Sequence, residues 1–159
     1  MQKMLCTLMM AFAFSAAQAA DSYGRLVFWT NPNDAAEAVS IKTTQENLTQ
    51  AQADEEAEAF CRGKDSLAGV VSGQTGCSLN MPLHNTCVAV AYPKSQPGGI
   101  SAANAVVITS PLFKNVHQIA LKQCLAKFGT QGQCALQTVY CTASDYYGGT
   151  FKTLLNRLK

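Results

Sequence analysis

The chain lacks the short signatures of most enzyme classes. It contains no G-x-S-x-G, no H-E-x-x-H and no P-loop pattern, so serine-hydrolase, zincin and phosphate-cradling chemistry have no local motif to rest on. It also lacks C-x-x-C, which removes the thioredoxin-type redox site and the usual zinc-ligand spacing. No cofactor is expected. Histidine is scarce, with two in the chain, and the net charge is only +2. So weak a charge does not suit a nucleic-acid partner, because phosphate binding needs a clustered basic surface. After the first residues no apolar run is long enough to span a bilayer, which takes about 20 residues.

What is present begins at the amino terminus. Lys3 precedes an apolar run from Met4 to Ala17, and Ala17-Gln18-Ala19 has the small-x-small form that signal peptidase accepts. We read residues 1–19 as a signal peptide and 20–145 as a single domain. Residues 146–159 form a C-terminal tail. Cys6 lies inside the apolar run, too early to carry a lipid on the mature chain. A soluble periplasmic or secreted product is expected.

Of seven cysteines, removing Cys6 leaves Cys61, Cys77, Cys87, Cys124, Cys134 and Cys141. An even number in an exported chain predicts disulfides. The six fall into two matched triplets. Each starts at the end of an expected helix and finishes at the end of an expected strand. The first helix is predicted over Thr49 to Cys61, opened by the capping-box pair Thr49 and Gln52. The second is predicted from Ser110-Pro111 to a stop at Gly129. Expected strands are Gly24–Thr30, Ala38–Thr43, a third beginning near Cys77, then Cys87–Tyr92, Asn104–Thr109 and Cys134–Cys141. The reading is a strand-strand-helix-strand unit used twice, over about 23–87 and 87–141. The expected fold is α+β: one compact, mainly antiparallel sheet or barrel with two helices and three disulfides. Repeat symmetry predicts Cys61–Cys77 and Cys124–Cys134. It leaves Cys87–Cys141 to clamp the two copies together.

This layout resembles a secreted bacterial family catalogued as domain of unknown function 4189. The resemblance rests on Tyr23-Gly24, on Ala-x-x-x-Cys at Ala57 to Cys61 and Ala120 to Cys124, and on Asn85-Thr-Cys-Val-Ala-Val-Ala91. It covers roughly Tyr23 to Cys141 and implies export and a duplicated fold; it brings no established activity. This chain departs from the family pattern in a longer loop, Arg62 to Gly76, and in a tail after the last cysteine.

Candidate sites are few. His84 lies near Cys87 in an irregular stretch, and His117 lies between core positions of the second helix. Asp65 and Asp145 are the only carboxylates that suggest themselves as a pair, and no spacing supports it. The Gly-rich loop offers Arg62, Lys64, Leu67, Val70 and Val71 for recognition. The tail repeats Phe151, Leu154, Leu155 and Leu158 at helical spacing beside Lys152, Arg157 and Lys159. That pattern fits a short basic amphipathic helix for a partner groove or a membrane surface. The expectation is a non-enzymatic binding protein, of inhibitor or immunity type, acting on another protein. The alternative is a cell-envelope hydrolase with an unrecognised active site, which a cluster of His84 with carboxylates in a concave pocket would favour.

Overall fold

The computed structural model describes residues 21–34 and 37–147. The expected leader and the tail positions Phe151, Leu154, Leu155 and Leu158 lie outside the described residues. In chain order the elements are β1 (Tyr23–Trp29), β2 (Ser40–Thr43), α1 (Gln50–Leu67), β3 (Cys77–His84), β4 (Cys87–Pro93), β5 (Val106–Ser110), α2 (Phe113–Phe128) and β6 (Cys134–Cys141). Strand-strand-helix-strand therefore occurs twice. Hydrogen bonding divides the strands into two antiparallel sheets, ordered β2-β1-β3 and β5-β4-β6, where the sequence reading expected one sheet or barrel.

Side-chain alternation explains why two sheets form. Leu26 and Phe28 of β1 point one way and join Val88 and Val90 of β4, Leu83 and Tyr140 in one apolar cluster. That cluster is the interface between the sheets. The opposite face of β4 carries Cys87, Ala89 and Ala91, packed with Val116, Ala120 and Cys124 of α2. The opposite face of β1 buries Val27 and Trp29 on the side of α1, whose inward residues are Ala53 and Ala57. The layers run α1, sheet one, sheet two, α2. Both central strands are covered on both faces, and so they read as nearly continuous apolar runs.

The helices start and stop for local reasons. Thr49 and Gln52 make the expected reciprocal cap of α1. The helix then runs six residues past Cys61 to Leu67, because nothing in Arg62 to Ser66 breaks it except Gly63, which a helix tolerates. The predicted loop from Arg62 is therefore helix as far as Leu67. Helix α2 begins at Phe113, two residues after Pro111. Ser110 Oγ caps the turn before it, accepting from Leu112 N at 3.1 Å. Gly129, at φ 69°, ends α2 and returns its N–H to Leu125 O.

All three predicted disulfides form. Cys61–Cys77 and Cys124–Cys134 each tie a helix to the strand that follows it. Cys87–Cys141 does not clamp the copies together. Both cysteines belong to sheet two, directly opposed across β4 and β6, with Cα atoms 3.9 Å apart. The Cys141 N–H points away from β4 and donates to Tyr147 Oη at 2.8 Å. This marks the cysteines as a non-hydrogen-bonded pair, the closer of the two antiparallel geometries.

The copies are joined by the inter-sheet core and by a Tyr140 latch. The Tyr140 hydroxyl donates to Gln45 O at 2.9 Å and lies against Gly24, where any Cβ would meet it. Burial, the largest influence, pushes its ionisation up to about 12.

Candidate functional site

Three surfaces are candidates for a site. The first is the seam where the repeats meet. Asn85 and Thr86 alone connect β3 to β4, and Asn85 adopts φ 47°, a conformation asparagine tolerates better than most residues. Asn85 Oδ1 accepts from Ser22 N (2.9 Å), Ser22 Oγ (3.2 Å) and the Tyr146 hydroxyl (3.3 Å). These donors orient the amide, so its Nδ2 faces Asp21 Oδ1 at 2.8 Å and His84 Nε2 at 3.1 Å. Asp21 also pairs with His84 Nε2 at 3.2 Å. Its carboxyl is held below the ordinary range, first by the Asn85 bond and then by His84. The Ser22 hydroxyl is occupied, bonded to Asn85 and to Thr142 Oγ1 at 2.8 Å.

The second surface is the far end of α1. Arg62 pairs with Glu58 one turn earlier, and the Lys64 ammonium sits over the buried Trp29 ring at 5.2 Å. Asp65 accepts from Trp29 Nε1 (2.7 Å) and from the Gly76 N–H (2.8 Å). Burial alone would raise its carboxyl; the bonds from Gly76, Trp29 and Thr75 outweigh that and lower it. Gly76 has no room for a side chain against Thr30 O and the Trp29 ring. On this braced end Leu67 is 88% exposed and Val71 66% exposed, while Val70 is half-buried. The structure thus brings Leu67 and Val71 to one exposed tip. Arg62 and Lys64 are engaged within the domain.

The third surface was not singled out in the sequence. Helix α2 packs on β4, β5 and β6, whereas α1 packs mainly on β1 and β2 and meets β3 at the Cys61–Cys77 bridge. The outer face of β3 is left open. Ser78, Asn80, Pro82 and His84 alternate along it, all exposed, while Leu79, Met81 and Leu83 turn inward. The period-two pattern Ser-x-Asn-x-Pro-x-His was the available signal. Across the pair, Tyr23 opposes His84 and Arg25 opposes Pro82. The Tyr23 and His84 rings stack at 4.5 Å and 15°.

Asp65 and Asp145 are not brought together. Asp65 sits at the Trp29 end of β1, while Asp145 follows β6 beyond the Tyr23 end, about 20 Å along the strand. His117 contacts Phe113 O from the flank of α2. Among the described residues no group of three or more His, Cys, Asp or Glu could hold a metal ion. Among them, too, no helix is long and apolar enough to cross a membrane.

The model of a family described as a domain of unknown function (DUF4189) matches residues 11–141. The chain belongs to this family. No curated protein and no solved structure matches it. The DUF4189 match ends at Cys141, so it takes in both repeats and all three disulfides. The resemblance noted in the sequence now has physical content. Asn85 makes the tight connection between repeats, Cys87 the bridge, and Ala89 and Ala91 the small floor on which α2 lies. Gly24 leaves space for Tyr140.

Proposed function

We propose that the protein is an exported, non-enzymatic binding protein, an inhibitor or immunity-type protein that inserts the tip of α1 into an apolar pocket on a partner protein. The observation that carries this reading is Leu67, 88% exposed on a turn that is braced on both sides. The Cys61–Cys77 bridge lies behind it, and Asp65 bonds the turn to Trp29 and Gly76. A large apolar side chain presented on a braced backbone costs a partner only its own rotamer freedom and no ordering of the turn, which favours affinity. Three disulfides suit an oxidising compartment outside the cytoplasm. The test is parallel capture from envelope extract with wild-type and Leu67→Asp/Val71→Asp baits, followed by binding and activity assays on the purified candidate. A protein retained by the wild type and lost by the variant, whose activity falls on binding, supports the reading. Equal binding by the two baits overturns it.

The alternative, an envelope hydrolase, has one observation in its favour: the His84–Asp21 pair. A carboxylate that orients an imidazole is half of a general-base arrangement. The Ser22 hydroxyl beside it is already committed to Asn85 and Thr142, which disfavours Ser22 as the nucleophile.

A further inference from the structure

We propose that the free edge of β5 is a self-association surface, where a second copy of the chain pairs its own β5 antiparallel and joins the two copies of sheet two into one continuous sheet. The outer strands of the two sheets are β2, β3, β5 and β6. A bare sheet edge presents unpaired N–H and C=O groups that fit an extended chain, and folded proteins usually blunt it. Three of these edges are blunted. Strand β2 is four residues long and carries Lys42. In β3, Pro82 stands opposite Arg25. Arg25 O accepts from Thr44 N on the β2 side, so Pro82 turns its missing N–H to the outside. Strand β6 is irregular opposite Val90 and Ala91, and its outward Cys141 N–H is taken by Tyr147.

Strand β5 has none of these devices. Val106-Val107-Ile108-Thr109-Ser110 contains no charge and no proline, and it pairs with β4 in unbroken register. Cys87 and Cys141 form a non-hydrogen-bonded pair, so Cys87, Ala89 and Ala91 direct their backbone groups to Ser110, Ile108 and Val106. Val107 and Thr109 therefore point their N–H and C=O groups away from the sheet. Among the described residues no backbone group bonds them there. Such an alternating array is the complement of another extended backbone.

The helix above this edge narrows the occupant to a second copy. Lys127 donates to Ala103 O in the turn that leads into β5, whereas Cys124 is bridged to Cys134 of β6. Leu112, Ile119, Gln123 and Lys127 therefore form the stripe of α2 on the β5 side. Leu112 and Ile119 are each 38% exposed. A lone peptide strand would satisfy the edge and leave those side chains in water. A second copy brings a strand and an apolar helix flank together, in the same two layers. The register follows from the outward groups. With Ile108 on a two-fold axis, Val107 exchanges backbone bonds with Thr109 of the second copy, and Thr109 with its Val107. Helix α2 carries Lys114, Lys122 and Lys127 and no acidic residue, so the two copies repel mildly and added salt should tighten the pair.

The test is sedimentation velocity of the mature, disulfide-intact protein from about 1 μM to about 1 mM, with amide hydrogen exchange at both ends of that range. A monomer–dimer equilibrium with Kd on the order of 100 μM is expected. The Val107 and Thr109 amides should gain protection as the dimer forms. Thr109→Pro removes an outward N–H, and Ile119→Lys charges the helix flank. Each should weaken dimerisation about ten-fold or more, with an unchanged melting temperature in dilute solution. Ile119 already stands partly in water, so that variant folds whatever Thr109→Pro does. Four results would each overturn the assignment. They are a monomer throughout, a dimer that both variants keep at wild-type affinity, or Val107 and Thr109 amides already protected in the dilute monomer. The fourth is association that salt weakens, the sign of contact between the acidic α1 of one copy and the basic α2 of another. Leu67 and Val71 are untouched by these substitutions, so the outcome is independent of the partner-protein test above.

Discussion

The two repeats share one plan and differ in how the helix sits on its sheet. Counting from their first residues, β1 and β4 match position for position. Tyr23, Arg25, Val27 and Trp29 stand where Cys87, Ala89, Ala91 and Pro93 stand. Small residues in β4 let α2 lie centrally and cover three strands. With bulky ones in β1, α1 packs chiefly on β1 and reaches β3 at that strand's first residue, through Cys61–Cys77. The stacked Tyr23–His84 pair occupies the place of the Cys87–Cys141 bridge. The second copy covers the helix-side face of its last strand, whereas the first leaves Asn80, Pro82 and His84 exposed on the corresponding strand.

The strongest way to break this comparison is to exchange the floors. Ala89→Arg places in repeat two what repeat one has at Arg25. Ala89 is fully buried beneath α2, so an unpaired cation there should cost upwards of about 4 kcal/mol. Loss of the cooperative thermal transition would show it. Arg25→Ala, the reciprocal change, removes a partly exposed ion pair and should cost about 1 kcal/mol or less.

Next in size is the bridge. Cys87→Ser/Cys141→Ser opens a loop with sequence separation 54 and should cost about 4 kcal/mol by chain entropy. His84→Ala, at the equivalent site of repeat one, removes an exposed ring stack and should cost about 1 kcal/mol or less. Chemical denaturation of the two variants side by side measures the contrast.

The latch between copies gives a pH signature. The ionisation of Tyr140 is raised in the folded state to about 12, chiefly by burial. The folded state therefore keeps the proton more tightly than the unfolded chain. That contribution is intact below about pH 10 and is lost as pH rises toward 12, a change on the order of 2 kcal/mol. Urea midpoints measured between pH 9 and 12 should fall for the wild type and fall less for Tyr140→Phe.

Asp65 tests the brace of the α1 tip at the acid end. Its carboxyl is lowered in the fold by the bonds from Gly76 and Trp29. Its contribution is present above the unfolded value near 4 and disappears as pH drops through the lower folded value. Asp65→Ala should cost about 1–2 kcal/mol at neutral pH, and the variant should lose less stability than the wild type on acidification. The smallest effect sharpens the comparison most. Leu67→Ser and Val71→Ser should leave the melting temperature within about 2 °C, since each side chain already stands in water.

Much of this was legible locally. The cysteine triplets, the capping box at Thr49 and the stop at Gly129 are short-range signals, and each was realised. The end of α1 was misplaced because glycines after Arg62 suggested a loop, while the helix in fact continues to Leu67, with Asp65 bonded to Trp29 and the Lys64 ammonium over the same ring. The role of Cys87–Cys141 was misread because sequence order groups Cys87 with the first triplet, although its strand pairs with β6. The candidate site was legible in part. Leu67 and Val71 were identified, but the open face of β3 was not, since exposure of Asn80, Pro82 and His84 depends on where α1 stops covering the sheet.

By itself the amino-acid order determined the repeat, the disulfide partners and which strand faces are apolar, because alternation and cysteine spacing act over a few residues. Only the tertiary structure decided that six strands make two sheets rather than one, and that one helix covers its sheet while the other leaves a strand bare. Those outcomes follow from side-chain volume at facing positions, Ala89 and Ala91 under α2 against Val27 and Trp29 under α1. Volume expresses itself only when the layers are pressed together at native packing density.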